Sequence, residues 1–134
     1  MLVPKKQKYR KHHKIKKIGK ATRATHVNFG SFGLKTLEPC WLTARQIEAA
    51  RKVITKYTKK HGKLWIRVFP DHAITKKGGE IPMGKGKGDV DHYVAIVKGG
   101  AIVFEVEGIS REFAYEALKL AAYKLPIKCK VVEK

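Results

Sequence analysis

Acidic residues are scarce in this chain. Its 134 residues include 11 Asp and Glu against 30 Lys and Arg, a formal net charge of +19. A compact chain with that surplus repels itself unless a polyanion neutralises it, which leaves nucleic acid and anionic membrane as the usual partners. Long apolar runs are also missing. Nowhere do about 18 apolar residues follow one another, so no spanning helix and no membrane partner is expected. Cysteine is limited to Cys40 and Cys129, too few for a disulfide framework or a structural zinc site. Two small, partly buried thiols in a reducing compartment are expected instead. The opening Met1-Leu2-Val3-Pro4-Lys5-Lys6 lacks the apolar core of a secretory signal, and a transit peptide is not expected either.

What is present is divided unevenly. Hydrophobic residues make up 43%, enough for one core in a chain of single-domain length. Residues 1–37 carry Lys5, Lys6, Lys8, Arg10, Lys11, Lys14, Lys16, Lys17, Lys20, Arg23 and Lys35 but no acid before Glu38. Residues 1–26 hold too few large apolar groups to offset ordering entropy and are expected to be disordered without a partner. A generic solubilising tail would have the same charge. Here, however, Tyr9, His12, His13 and Ile15 are interleaved with the cations, and rings among phosphate-binding cations suit unpaired bases. The expected organisation is a basic RNA-binding extension, 1–26, and one globular domain, 27–134, with a projecting loop at 75–90.

Within that domain, Val27 to Lys35 reads as extended, with Gly30 and Gly33 permitting bends or close backbone approach. Thr43-Ala-Arg-Gln46 forms a capping box, starting a helix expected to reach about His61. Ile47, Ala50, Val53, Ile54 and Tyr57 make its apolar stripe; Arg45, Lys52, Lys56, Lys59 and Lys63 lie opposite. Such a basic face is often only solvated, but beside the arm it becomes a candidate RNA-backbone surface. Lys63 to Phe69 alternates as a strand. His92–Val97 and Ala101–Glu107 read as strands joined in a hairpin at Gly99-Gly100. Ser110 caps a second helix with Ala114, Ala117, Leu118, Ala121 and Leu125 inward and Pro126 as its stop, and Ile127 to Val132 alternates again. The predicted fold class is α+β: two helices packed on a mainly antiparallel sheet, with an extended basic N-terminal arm.

Between Ile74 and Val90 lies Thr-Lys-Lys-Gly-Gly-Glu-Ile-Pro-Met-Gly-Lys-Gly-Lys-Gly-Asp, which cannot pack a core. Gly79, Gly84 and Lys85 match a phosphate-cradling nucleotide loop in spacing, but Gly86 replaces its Ser or Thr and Pro82 interrupts it. Nucleotide hydrolysis is therefore not expected. Gly84, Gly86 and Gly88 would instead let the backbone approach a polyanion while Lys76, Lys77, Lys85 and Lys87 supply charge; a floppy surface hairpin is the alternative. No catalytic constellation emerges, and the six histidines show no metal-ligand spacing with either cysteine. No cofactor and no metal is expected. Asp89 and Asp91 are expected to compensate neighbouring lysines.

Several segments carry a resemblance. Pro4-Lys5 with Arg10-Lys11-His12, Phe29-Gly-Ser-Phe-Gly-Leu-Lys35, Leu42-Thr-Ala-Arg-Gln-Ile-Glu-Ala-Ala-Arg51, Ile66-Arg-Val-Phe-Pro-Asp71, Met83-Gly-Lys-Gly-Lys-Gly88 and Lys124-Leu-Pro-Ile-Lys128 resemble, in order, the bacterial-type L-sixteen family of large-subunit ribosomal proteins. The resemblance implies an α/β-hammerhead-like fold and a non-enzymatic constituent of the large subunit. It implies binding to large-subunit ribosomal RNA near the aminoacyl-tRNA site, support of the peptidyl-transferase region, and contact of Met83 to Gly88 with aminoacyl-site tRNA and the neighbouring peptidyl-site tRNA. Other large-subunit proteins would be partners, homo-oligomers are not expected, and the setting would be a bacterial cytoplasmic or an organelle ribosome. The family often has Arg before the loop Met; here Pro82 stands there, so hydroxylation of an arginine at that site is unavailable. Cys40-Trp41 also departs from common forms. The residues expected on ribosomal RNA are Lys5, Lys6, Lys8, Tyr9, Arg10, Lys11, His12, His13, Lys14, Lys16, Lys17, Arg23, Arg45, Lys52, Lys56 and Lys59. The tRNA-facing set is Lys76, Lys77, Met83, Gly84, Lys85, Gly86, Lys87 and Gly88. A nucleoid-type condensing protein is the competing reading; it explains the charge but not the loop.

Overall fold

The structure, a computed structural model, describes residues 1–13, 18–59, 61–77, 84 and 86–134. Among them the order is β1 (Phe32–Thr36), β2 (Cys40–Thr43), α1 (Ala44–Thr58), β3 (Lys63–Ile66), β4 (His72–Lys76), β5 (Asp89–Val97), β6 (Ile102–Glu107), α2 (Arg111–Ala122) and β7 (Cys129–Glu133). The expected α+β class holds, with two helices packed against antiparallel strands. The strands divide into two sheets, β3-β6-β1-β7 and β2-β5-β4, where one was expected.

That division corrects the hairpin expected at Gly99-Gly100. β5 pairs with β2 and β4, β6 with β1 and β3, and the two glycines carry the chain from one sheet to the other. Gly100 turns at φ +91, and its N–H donates to Thr36 O at 2.8 Å. The Thr36 hydroxyl donates to Lys98 O at 3.1 Å. The turn is thus held by the end of β1, not by a strand partner. β6 is buried along Ile102, Val103, Phe104, Glu105 and Val106, and burial on both faces demands an inner position in a sheet.

Both helix starts follow from their caps. Thr43 Oγ1 accepts from the Gln46 N–H at 3.2 Å and Gln46 Oε1 accepts from the Thr43 N–H at 3.0 Å, so two orphan donors are satisfied reciprocally. Ser110 accepts from the Phe113 N–H at 3.4 Å. α1 ends at Thr58, short of His61, because Lys59 takes a positive φ of 47. Gly62 serves close approach: a Cβ there would lie 2.9 Å from Thr58 Cβ and 3.0 Å from Glu107 O. In the α1 stripe, Ile47, Ala50 and Ile54 are buried, Val53 and Tyr57 half-buried, and Thr58 completes the contact. Ala114, Ala117, Leu118 and Ala121 of α2 are buried as expected, and Leu125 is buried beyond the helix end. These residues meet Leu34, Leu42, Phe104 and Val106 in one core.

The strand expected from Lys63 to Phe69 stops at Ile66, although the Arg67 N–H still donates to Val103 O at 2.8 Å. Only the second half of 27–35 enters β1. Residues 28–30 instead donate their N–H groups to the buried Glu105. Strands β2 and β4 were not anticipated. The described part of residues 1–26 touches the body repeatedly: Leu2 packs on the edge of the core, Ala21 N donates to Gly99 O at 2.9 Å, and Ile102 N donates to Ala24 O at 2.7 Å.

Candidate nucleic-acid interface

The loop leaves the sheet where β4 and β5 pair, at Lys76 opposite Asp89, the last rung of that ladder. Gly84 and Gly86 have φ +112 and +87 with open space around them, conformations that side chains resist. Gly88 meets a different demand: a Cβ there would sit 2.7 Å from Lys76 O. Lys76 and Lys87 are exposed and Lys77 half-buried. Pro82, Met83 and Lys85 lie outside the described residues.

Residues 7–13 are tied to this sheet. Gln7 Nε2 donates to Asp71 O at 2.7 Å, and the Ala73 N–H donates to His12 Nδ1 at 3.0 Å. Lys11 Nζ donates to Lys87 O at 3.0 Å, while Lys87 Nζ donates to His12 O. The segment and the loop base therefore share an edge. Lys5, Lys6, Lys8, Tyr9, Arg10, Lys11 and His13 all remain exposed. Lys8 Nζ lies 5.7 Å from the Tyr9 ring centre. Lys14, Lys16 and Lys17 lie outside the described residues, and Arg23 is exposed.

Arg10 meets Arg45, in the first turn of α1, across a hollow that also contains Asp91 and His92. Asp91 accepts from His92 at 2.7 Å; that bond first, then His92, Lys76 and Arg45, hold its carboxyl below the usual range. Asp89 stands opposite Lys76. Both acids thus sit among cations, consistent with charge compensation.

The helix face is less unified. Arg45, Lys52, Lys56 and Lys59 are all exposed along about 21 Å of axis. Lys56 and Lys59, however, open onto a groove against α2 lined by Val53, Tyr57, Phe113, Leu120, Tyr123 and Lys124. Sequence periodicity assigned the lysines to one face, but it did not show that the far end borders an apolar groove. Tyr123 and Phe113, exposed at 80% and 57%, were missed; the signal was a second apolar spacing on α2, outside the buried stripe.

Behind the arm, His72 is buried and its ring lies 5.1 Å from His12 and 6.1 Å from Trp41. Burial first, then His12 and Lys87, push its pKa below the ordinary 6.5, with Asp71 opposing. Between the folded and ordinary values, the unfolded chain binds a proton that the folded chain refuses. Stability from this group is therefore present above pH 6.5 and lost as pH falls toward the folded value. An NMR titration should give His72 a midpoint below 6.5, with the His12–Ala73 contact loosening over the same range. A midpoint above 6.5 would contradict the contact. Burial pushes the thiols of Cys40 and Cys129 up to about 11, which keeps both neutral. Among the described residues, no three His, Cys, Asp or Glu converge on a metal-sized site.

Comparison with known proteins decides the family. The model of "Ribosomal protein L16p/L10e" matches residues 4–132. The chain belongs to the ribosomal protein L16p/L10e family. A "Large ribosomal subunit protein uL16c" from Phaeodactylum tricornutum is 55% identical over 134 residues, covering 100% of this chain and 97% of that protein. A protein of the same name from Gracilaria tenuistipitata is 54% identical, covering 100% and 99%. One from Emiliania huxleyi is 52% identical, covering 100% and 97%. As a member of the L16p/L10e family, the chain is a structural constituent of the large ribosomal subunit and not an enzyme.

Proposed function

We propose that the chain binds large-subunit ribosomal RNA near the aminoacyl-tRNA site, supports the peptidyl-transferase region and reaches tRNA through residues 76–88. The observation that carries this reading is the junction of arm and loop. The contacts of Lys11 with Lys87 O and of Lys87 with His12 O gather the exposed Lys5, Lys6, Lys8, Arg10, Lys11, Lys76 and Lys87 about one sheet, with Arg45 beside them. Cations in such number neutralise phosphates and release counterions, while Tyr9 and His13 offer rings for unpaired bases. Lys14, Lys16, Lys17 and Arg23 extend the same charge along the arm, and Lys52, Lys56 and Lys59 along α1. Other large-subunit proteins are neighbours. The relatives' shared name, "Large ribosomal subunit protein uL16c", supports assembly into a large ribosomal subunit, in a bacterial cytoplasmic or an organelle ribosome.

Competition between large-subunit RNA and random duplex DNA tests the RNA reading: RNA should be strongly preferred, and equal displacement by DNA would contradict it. The loop has its own test. Replacing Lys85 and Lys87 with Ala should slow tRNA accommodation on reconstituted ribosomes without lowering the melting temperature. A large fall in melting temperature would show that the loop lysines act in folding instead.

A further inference from the structure

Neither the arm nor the loop uses the carboxylate buried at the centre of the four-stranded sheet. Glu105 is 0% exposed and stands in register with Trp65 on β3 and Gly33 on β1. Its Oε1 accepts the N–H groups of Asn28, Phe29 and Gly30 at 2.9, 2.8 and 3.0 Å. Its Oε2 lies 3.0 Å from Arg67 Nη1, which also donates to His26 O at 2.9 Å. Residues 26–30 are thereby fastened across the sheet. The approach is close enough to require glycine, since a Cβ at Gly30 would lie 2.6 Å from Val106 O.

What this anchor positions is a ring left in solvent. Phe29 is 56% exposed, stacked on Trp65 at 6.2 Å and 23°, and 5.2 Å from the Arg67 guanidinium. Lys63, Trp65 and Arg67 alternate along one extended run and so share a face. Trp65 and Arg67 both back the ring, and its outer side stays open. Burying a carboxylate is costly unless its partners are well placed; here three N–H donors and Arg67 meet it, so the backbone beneath this exposed ring is held in place. A ring ordered in advance, next to cations, has already met the entropy cost of capturing a flat partner.

We propose that Phe29, backed by Trp65 and Arg67 and flanked by Lys63, is a stacking platform for an unpaired nucleobase of large-subunit RNA, separate from the arm and the loop. This inference rests on the RNA-binding reading above and adds to the rings of the arm a stacking contact on the globular body.

The test uses the full chain with Trp41→Phe, which leaves Trp65 as its one tryptophan. Its probes are oligoadenylate and an abasic oligomer of equal length and charge. Oligoadenylate should quench Trp65 fluorescence and bind roughly tenfold more tightly than the abasic chain. Phe29→Ala should abolish the Trp65 quenching and cut that difference to what Tyr9 and His13 contribute, while keeping the melting temperature and the salt dependence of binding; Phe29→Tyr should preserve both. Equal binding of the two oligomers, or an unchanged preference in Phe29→Ala, overturns the platform even where salt-dependent binding persists. Absence of salt-dependent RNA binding would overturn the RNA reading itself and the platform with it. If Phe29→Ala binds both oligomers as the parent does but fails to enter large subunits, the ring belongs to a protein neighbour and the platform is again overturned.

Discussion

Arg67→Ala is expected to destabilise the protein by about 3–5 kcal/mol. The guanidinium is the only cation paired with Glu105 among the described residues, and Oε2 has no well-directed hydrogen bond of its own. Removing the arginine leaves a fully buried carboxylate with three N–H donors on one oxygen and nothing on the other. It also releases His26 O. Arg67→Lys should recover part of the loss, because an ammonium restores the charge but not the shape and reach that set one guanidinium nitrogen, Nη1, beside both Glu105 Oε2 and His26 O. Glu105→Gln should be milder than Glu105→Ala, since an amide oxygen can still accept from Asn28, Phe29 and Gly30. Urea unfolding of the four variants measures all of this. An Arg67→Ala midpoint matching that of the parent would show that water reaches the site and that the anchor is dispensable.

Converting Lys5, Lys6, Lys8 and Lys11 to Gln should lower the log–log salt slope of large-subunit RNA binding by about three units. All four side chains are exposed, so the fold should tolerate the change. Leu2, Gln7 and His12, which tie the segment to the body, remain in place. Affinity at moderate salt should fall by about two orders of magnitude or more. Titrations at several salt concentrations separate this from misfolding, because a partly unfolded chain loses affinity without a proportionate change of slope. An unaltered slope would mean that these lysines face water when RNA is bound.

The elements best read from sequence were those set by local chemistry. Thr43 with Gln46, and Ser110, announced both helices, because a cap is completed within four residues. The inward stripe of α2 followed from its period. The failures were non-local. Gly99-Gly100 carries the same turn signal whether the next strand folds back or crosses to another sheet, and the distinction lies in Thr36, some sixty residues earlier. β4 was hidden because His72-Ala-Ile-Thr-Lys76 lacks alternation, and β2 because it is four residues long. Glu105 interrupts an otherwise apolar Ile102–Val106. Such a run implies burial on both faces, so its acid needed a buried partner. That was a usable signal, but the identity of the partner, Arg67, required the fold. The basic surface was legible as composition and the arm–loop junction was not, since it depends on Lys11 and His12 meeting Lys87.

Lysine footprinting of the protein, free and inside native large subunits, addresses the central claim most directly. Lys5, Lys6, Lys8, Lys11, Lys76 and Lys87 should acetylate readily in the free chain and become protected in the subunit, while Lys119 and Lys128, away from the arm–loop edge, change less. Equal acetylation of the first six in both states would show that those cations do not lie against RNA.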